Sequence, residues 1–153
     1  MKACRALVQE LGTTRSPRAK TSPKNKNFGL HLTLDGYLCN SKKLDDPKWL
    51  MYILEDLPRR MRMHLLMPPY VVHAGANDKK DPGGWSGCVV IEESHIAIHT
   101  FPGRGFVSAD VYTCKNGMDV AFIENYFRQK FALGDIETNF IKRGTRYPTE
   151  NLD

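Results

Sequence analysis

Long apolar runs are missing from this chain of 153 residues: nowhere do about 18 apolar residues follow one another, so no membrane-spanning helix is expected. The opening MKACRALVQELG lacks the extended apolar core of a secretory signal, which argues for a protein that stays in the cytoplasm. Cysteine is scarce as well. Cys4, Cys39, Cys88 and Cys114 stand at neither disulfide-framework nor metal-finger spacing, so the chain reads as reduced and intracellular. No internal repeat is visible. Acidic residues are nearly absent from the first 28 positions, where Lys2, Arg5, Arg15, Arg18, Lys20, Lys24 and Lys26 face Glu10 alone. The remainder is close to neutral, so the net charge of +5 belongs to an arm, residues 1–27, and not to the folded body. Such a polar arm cannot bury enough apolar area to order itself. Neither a nucleic acid nor a membrane is expected as a partner.

What is present is an ordinary globular balance, 41% hydrophobic and 25% charged, and residues 28–153 suffice for one domain with its own core. FGLHLTLDGYLC alternates, with Leu30, Leu32 and Leu34 on one side and His31, Thr33 and Asp35 on the other, and predicts a strand. Asp45-Asp46-Pro47 is a helix start, followed by Leu50, Ile53, Leu54 and Leu57 at helical spacing; Pro58 is expected to kink or end that helix. MHLLMPPYVVHAG reads as an edge strand because of Pro68-Pro69, residues 75–85 as a polar loop, and SGCVVIEE as a short apolar strand. MDVAFIENYFRQKFAL predicts a helix with Phe122, Ile123, Tyr126 and Phe127 on its core stripe, ended by Gly134, and DIETNFIKRG a last strand. The order β-α-β-β-β-β-α-β predicts an α+β fold, a two-layer sandwich of a mainly antiparallel sheet with helices packed on one face.

The chemistry concentrates in Glu92–Cys114, EESHIAIHTFPGRGFVSADVYTC, which reads as a hairpin turning at Pro102-Gly103-Arg104-Gly105. With Gly103 and Arg104 as the loop, Cys114 falls opposite Glu93, so a thiol approaches the Glu93–Ser94 peptide bond from 20 residues away. His95 and His99 share a strand face about 13 Å apart and cannot hold one metal ion. A Cys–His hydrolase remains open, although no nucleophile elbow surrounds Cys114; so does a purely structural role for His99 and Cys114 as buried sheet residues. His31, His64 and His73 carry no assignment.

ESHIAIHT…GRGFVSADVYTC, with SGCVVIEESH before it and the early His-containing strand, resembles the small bacterial S-adenosylmethionine decarboxylases over most of residues 28–143. The resemblance implies self-cleavage between Glu93 and Ser94, conversion of Ser94 to a pyruvoyl group that forms a Schiff base with substrate, Ser86 and His99 as processing residues, and Cys114 as proton donor. It implies no pyridoxal phosphate and no metal, a place in spermidine synthesis, and a homodimer of cleaved protomers with sites near the interface. Geometry adds a condition: on a straight strand His99 lies about 16 Å from Ser94, so either the strand breaks or a second subunit completes the site.

Family members commonly read Trp-Pro-Glu-Tyr-Gly after the His-Thr pair, where this chain has Phe101-Pro102-Gly103-Arg104-Gly105. Phe101 keeps an aromatic face able to stack on adenine. Gly103 replaces the glutamate that the resemblance would assign to the ribose hydroxyls, and Arg104 adds a cation near a site for a sulfonium. Three readings follow: S-adenosylmethionine decarboxylation, the same mechanism on L-ornithine or L-arginine, and an unprocessed relative without catalysis.

Overall fold

A computed structural model describes residues 27–148, and among these it has six strands and three α-helices. The arm foreseen over residues 1–27 lies outside the described residues except for Asn27, which is already buried and bonded through Nδ2 to the Gly29 carbonyl. The first strand, β1 (Gly29–Tyr37), is followed by a one-turn helix α1 (Ser41–Leu44) that the sequence pattern had not signalled, and by α2 (Pro47–Arg60). Next come β2 (Tyr70–Ala74), β3 (Gly84–Ile91), β4 (Ser94–Phe101) and β5 (Phe106–Thr113), then α3 (Val120–Phe131) and β6 (Asp135–Arg143). The sheet order is β2-β3-β4-β5-β1-β6, with every neighbouring pair antiparallel. The expected α+β architecture and strand succession are therefore present.

Local chemistry explains the helix ends. Asp46 caps α2 by accepting from the Lys48 and Trp49 amides, with Pro47 in the first turn, where its missing donor costs nothing. Pro58 does not end α2. It sits in the last turn, where its ring forfeits a single bond, and the helix runs on to Arg60. Asp119 caps α3 through the Phe122 amide, but the left-handed C-cap is Ala132, at φ 51°, and not Gly134 two residues later. Phe122 is only half-buried, while Phe131 completes the core stripe.

Alternation sorts the sheet into two faces. Leu32, Leu34, Ile96, Ile98, Val107 and Val111 pack with Leu50, Ile53, Leu54 and Leu57 of α2 and Ile123, Phe127 and Phe131 of α3 in one core. The helices are tied to each other by Trp49 Nε1 donating to the Lys130 carbonyl and the Tyr126 hydroxyl donating to Asp56. Directly paired residues share a face, so the opposite face carries the row Val90, His95, Tyr112, His31, Ile141 and the row Val72, Ser86, His99, Ser108, Asp35, Glu137. No described helix covers it, and Tyr70, Val72, Val90 and Ile141 are exposed there. The start of β3 approaches β4 so closely that a Cβ on Gly84 would lie 1.9 Å from the Thr100 carbonyl, which makes glycine obligatory.

Candidate active site

The β4–β5 hairpin keeps the foreseen register: Ser94 pairs with Thr113 and Phe101 with Phe106. Its loop is longer than two residues, because Pro102–Arg104 forms a single 3₁₀ turn closed by Gly105 in the left-handed region. At the far end of this hairpin Cys114 does lie opposite Glu93, and its amide donates to the Glu93 carbonyl oxygen at 2.8 Å.

β3 and β4 are joined by Glu92 and Glu93 alone, Ile91 pairing with Ser94 across them. Ser94 has φ 148°, a conformation that L residues rarely adopt and that costs on the order of 1–3 kcal/mol. Packing and hydrogen bonds around it sustain the strain. Glu93 is gripped at two places, because besides its carbonyl its carboxylate accepts the His64 amide at 3.1 Å and faces His64 Nδ1 at 3.3 Å and Lys115 Nζ at 3.5 Å. Burial by itself would raise the Glu93 carboxyl; the His64 amide, the His64 ring and the Lys115 ammonium outweigh it and hold the group below the usual carboxylate range.

The three described cysteines differ in what they can do. Cys39 is buried, its thiol pushed up to about 11 by burial and directed at the Gly36 carbonyl, an inert environment. Cys88 is exposed on the uncovered face, and Cys114 is half-buried beside the Glu93–Ser94 bond.

Ser86 and His99 stand directly across from one another on β3 and β4, with Ser86 Oγ 2.9 Å from His99 Nδ1. His99 is exposed, so the reading of it as a buried sheet residue fails. Phe101, next on the same face, stands 5.4 Å from Phe106, ring centre to ring centre, and Phe106 stands 5.4 Å from Tyr37. β4 is unbroken between Ser94 and Phe101, so the Ser86–His99 pair stays about 16 Å along the strand from Ser94. Within one chain the named residues therefore form two groups, Glu93–Ser94–Cys114 and Ser86–His99–Phe101, at opposite ends of β4.

The turn between β4 and β5 separates constraint from choice. Gly103 has no left-handed backbone, and a Cβ there would come no nearer than 3.9 Å to Pro82, so a side chain would fit. Arg104 does not point freely into water: its guanidinium donates to the Lys79 carbonyl at 2.6 Å and pins the 75–83 loop.

A model of the S-adenosylmethionine decarboxylase family matches residues 30–144. The chain belongs to this family. Among curated relatives, the S-adenosylmethionine decarboxylase proenzyme of Clostridium botulinum strain Hall is 31% identical over 119 residues, covering 78% of this chain and 97% of the relative. The proenzyme of Syntrophomonas wolfei is 33% identical over 128 residues, covering 83% of this chain and 96% of the relative. The crystal structure of the adenosylmethionine decarboxylase of Aquifex aeolicus superposes with a TM-score of 0.66 at 25% identity, over 77% of this chain and 92% of that one. Among the described residues, no helix is long and apolar enough to cross a membrane.

Sequence reasoning missed three residues at this site of the decarboxylase fold. His64 and Lys115 reach Glu93 from the segment after α2 and from just past β5, and His64 stands 29 positions before its partner. Asp110 is shared by His31 Nε2 at 3.3 Å and His95 Nε2 at 3.4 Å, a cluster that needs the β1–β5–β4 register to form. Among the described residues, His64, Glu92 and Glu93 form a set with metal-ligand spacing, beside which Lys115 already supplies a fixed cation.

Proposed function

We propose that this chain cuts itself between Glu93 and Ser94 and decarboxylates S-adenosylmethionine with a pyruvoyl group derived from Ser94. One observation carries the reading: the Glu93 carbonyl oxygen rests on the Cys114 amide while the following serine is held at φ 148°. In the first step Ser94 Oγ adds to the Glu93 carbonyl carbon, and the oxygen that becomes negative already has its donor. Collapse breaks the C–N bond, the nitrogen takes the hydroxyl proton, and the amide becomes an ester. Loss of the Ser94 Cα proton to a base then breaks the ester C–O bond and releases Glu93 as a carboxylate. The dehydroalanine left at position 94 takes up water and releases ammonia, which completes the group. Breaking the Glu93–Ser94 bond also frees Ser94 from its strained φ.

The residues present fit that group. The residue after Ser94, His95, is pinned to Asp110, and the half-buried Cys114 lies next to the bond, its amide on the Glu93 carbonyl. Once formed, the group supplies the electron sink for the carbanion left by loss of carbon dioxide. Cys114 holds the proton that the product carbon requires.

The two groups of residues at opposite ends of β4 point to a homodimer. An isologous pair packed through the uncovered face, with its two-fold axis running across the strands, sets one end of a strand against the opposite end of its copy and brings Ser86 and His99 of one protomer to Ser94 of the other. Exposed Tyr70, Val72 and Val90 give that face an apolar contribution to association. Co-expressing Ser94→Ala with His99→Ala chains tests this: a shared site yields cleaved chains from the mixture, and a site within one chain yields none.

A second reading concerns substrate. Because Gly103 has room for a side chain yet carries none, no glutamate at that position pairs ribose hydroxyls, and L-ornithine or L-arginine could enter the same chemistry. Carbon dioxide release from purified protein with S-adenosylmethionine, L-ornithine and L-arginine in parallel decides between them. Turnover of S-adenosylmethionine is expected, and turnover of an amino acid alone would move the assignment to the second reading. An uncut chain inactive on all three would favour a non-catalytic relative.

A further inference from the structure

The segment Met63–Leu66 takes no part in the chemistry proposed above, yet it is bonded to the scissile turn and the strand leading into it at several points. Leu65 bridges to Ile91, and the Leu66 amide donates to the Val90 carbonyl at 3.0 Å. The Glu92 amide donates to the His64 carbonyl at 2.9 Å, and the His64 amide returns a bond to the Glu93 carboxylate at 3.1 Å. The imidazole then faces both carboxylates of the turn, Nδ1 lying 3.3 Å from Glu92 Oε2 and 3.3 Å from Glu93 Oε1. Lys115 closes the arrangement, its ammonium 3.5 Å from Glu93 Oε1 and donating to the Arg62 carbonyl at 2.8 Å.

A two-residue turn has few ways to orient its second peptide bond. Here the side chain of the residue whose carbonyl would be attacked is fixed on one side by His64 and Lys115, while its carbonyl is fixed on the other by the Cys114 amide. Between these anchors Ser94 has no freedom to relax from φ 148°. We propose that His64, with Lys115, is a positioning residue for self-cleavage: it acts through the Glu93 carboxylate to hold the Glu93 carbonyl on its oxyanion donor and Ser94 Oγ within reach. This rests on the reading that the chain cuts at Glu93–Ser94. His64 does not itself touch the reacting atoms, and no proton of the reaction passes through it.

The test follows the conversion of newly made full-length chain to the fragments 1–93 and 94–153 over time, by denaturing gel and intact mass. Replacing His64 by Ala should slow conversion by about tenfold, the size expected for losing a charge-assisted hydrogen bond to a group that must be held in one place. His64→Gln, which retains a side-chain donor, should recover part of the rate. A structural role would not predict the next result: in a Glu93→Gln background, removing His64 should cost at most about twofold, because the two residues act through one contact. Unchanged conversion in His64→Ala, or equal losses in both backgrounds, would overturn the proposal while leaving self-cleavage intact. A wild-type chain that never cuts at Glu93–Ser94 would instead remove the reading on which it rests.

Discussion

The two faces of the sheet share every strand and differ by one residue of register. On the covered face Ile96, Ile98, Val107 and Val111 are at most 1% exposed and touch the helices. On the other face, one position along each strand, stand His95, His99, Ser108 and Asp110, half-buried or exposed, together with the Ser86–His99 contact and the shared Asp110 carboxylate. A period of two residues lets the same eight-residue strand carry stability at even positions and polar chemistry at odd ones. The helix layer secures the first face and leaves the second free to meet another surface. Ser94 stands where this division is interrupted, as the first residue of β4 and the only strand residue other than glycine with positive φ among those described.

Substitution at that residue has the largest expected effect. Ser94→Ala removes the hydroxyl and should leave a wholly uncut, inactive chain with a near-normal thermal melt, read on a denaturing gel and by circular dichroism. Neighbours on opposite faces come next. Ile98→Ala should cost about 2–5 kcal/mol of stability by leaving a cavity, measured by denaturant unfolding, and should still allow cutting while the chain stays folded. His99→Ala should change stability by no more than about 0.5 kcal/mol and lose most of the cleavage. If the two substitutions exchanged effects, the division of labour between the faces would be wrong. Cys114→Ala should still cut, at least partly, while carbon dioxide release falls by about 10²–10⁴-fold, the usual worth of a positioned proton donor.

The smallest effect concerns the helix layer. Burial by itself would raise the Asp56 carboxyl, but hydrogen bonds from Arg60 and the Tyr126 hydroxyl and the charge of Lys130 hold it below its ordinary value. A depressed carboxyl contributes stability that is complete above its unfolded value near pH 4 and is lost as pH falls through the folded value. Unfolding free energy should therefore decline below about pH 4, and Asp56→Asn should flatten part of that slope.

Much of this was legible because it rests on local spacing. The strand and helix order followed from alternation and caps, and the β4–β5 register from a loop that had to centre on Gly103 and Arg104. That register alone set Cys114 against Glu93. The motif residues Ser86, His99 and Phe101 could be named, but their separation from Ser94 depends on whether β4 breaks, and only the continuous ladder from Ser94 to Phe101 decides it. Other features carried no local signal. Ala132 ends α3 where Gly134 was the better candidate, because the Gly134 amide is engaged by the Tyr37 carbonyl from β1. His64 and Lys115 meet Glu93 through tertiary packing, and α1 is too short for periodicity to register.

The proposed cut after the turn of Glu92 and Glu93 is read directly by the intact mass of the purified, denatured full-length protein. Two chains are expected, residues 1–93 and residues 94–153, the second lighter by one ammonia than a serine terminus would make it. A single uncut species of 17.4 kDa would contradict it.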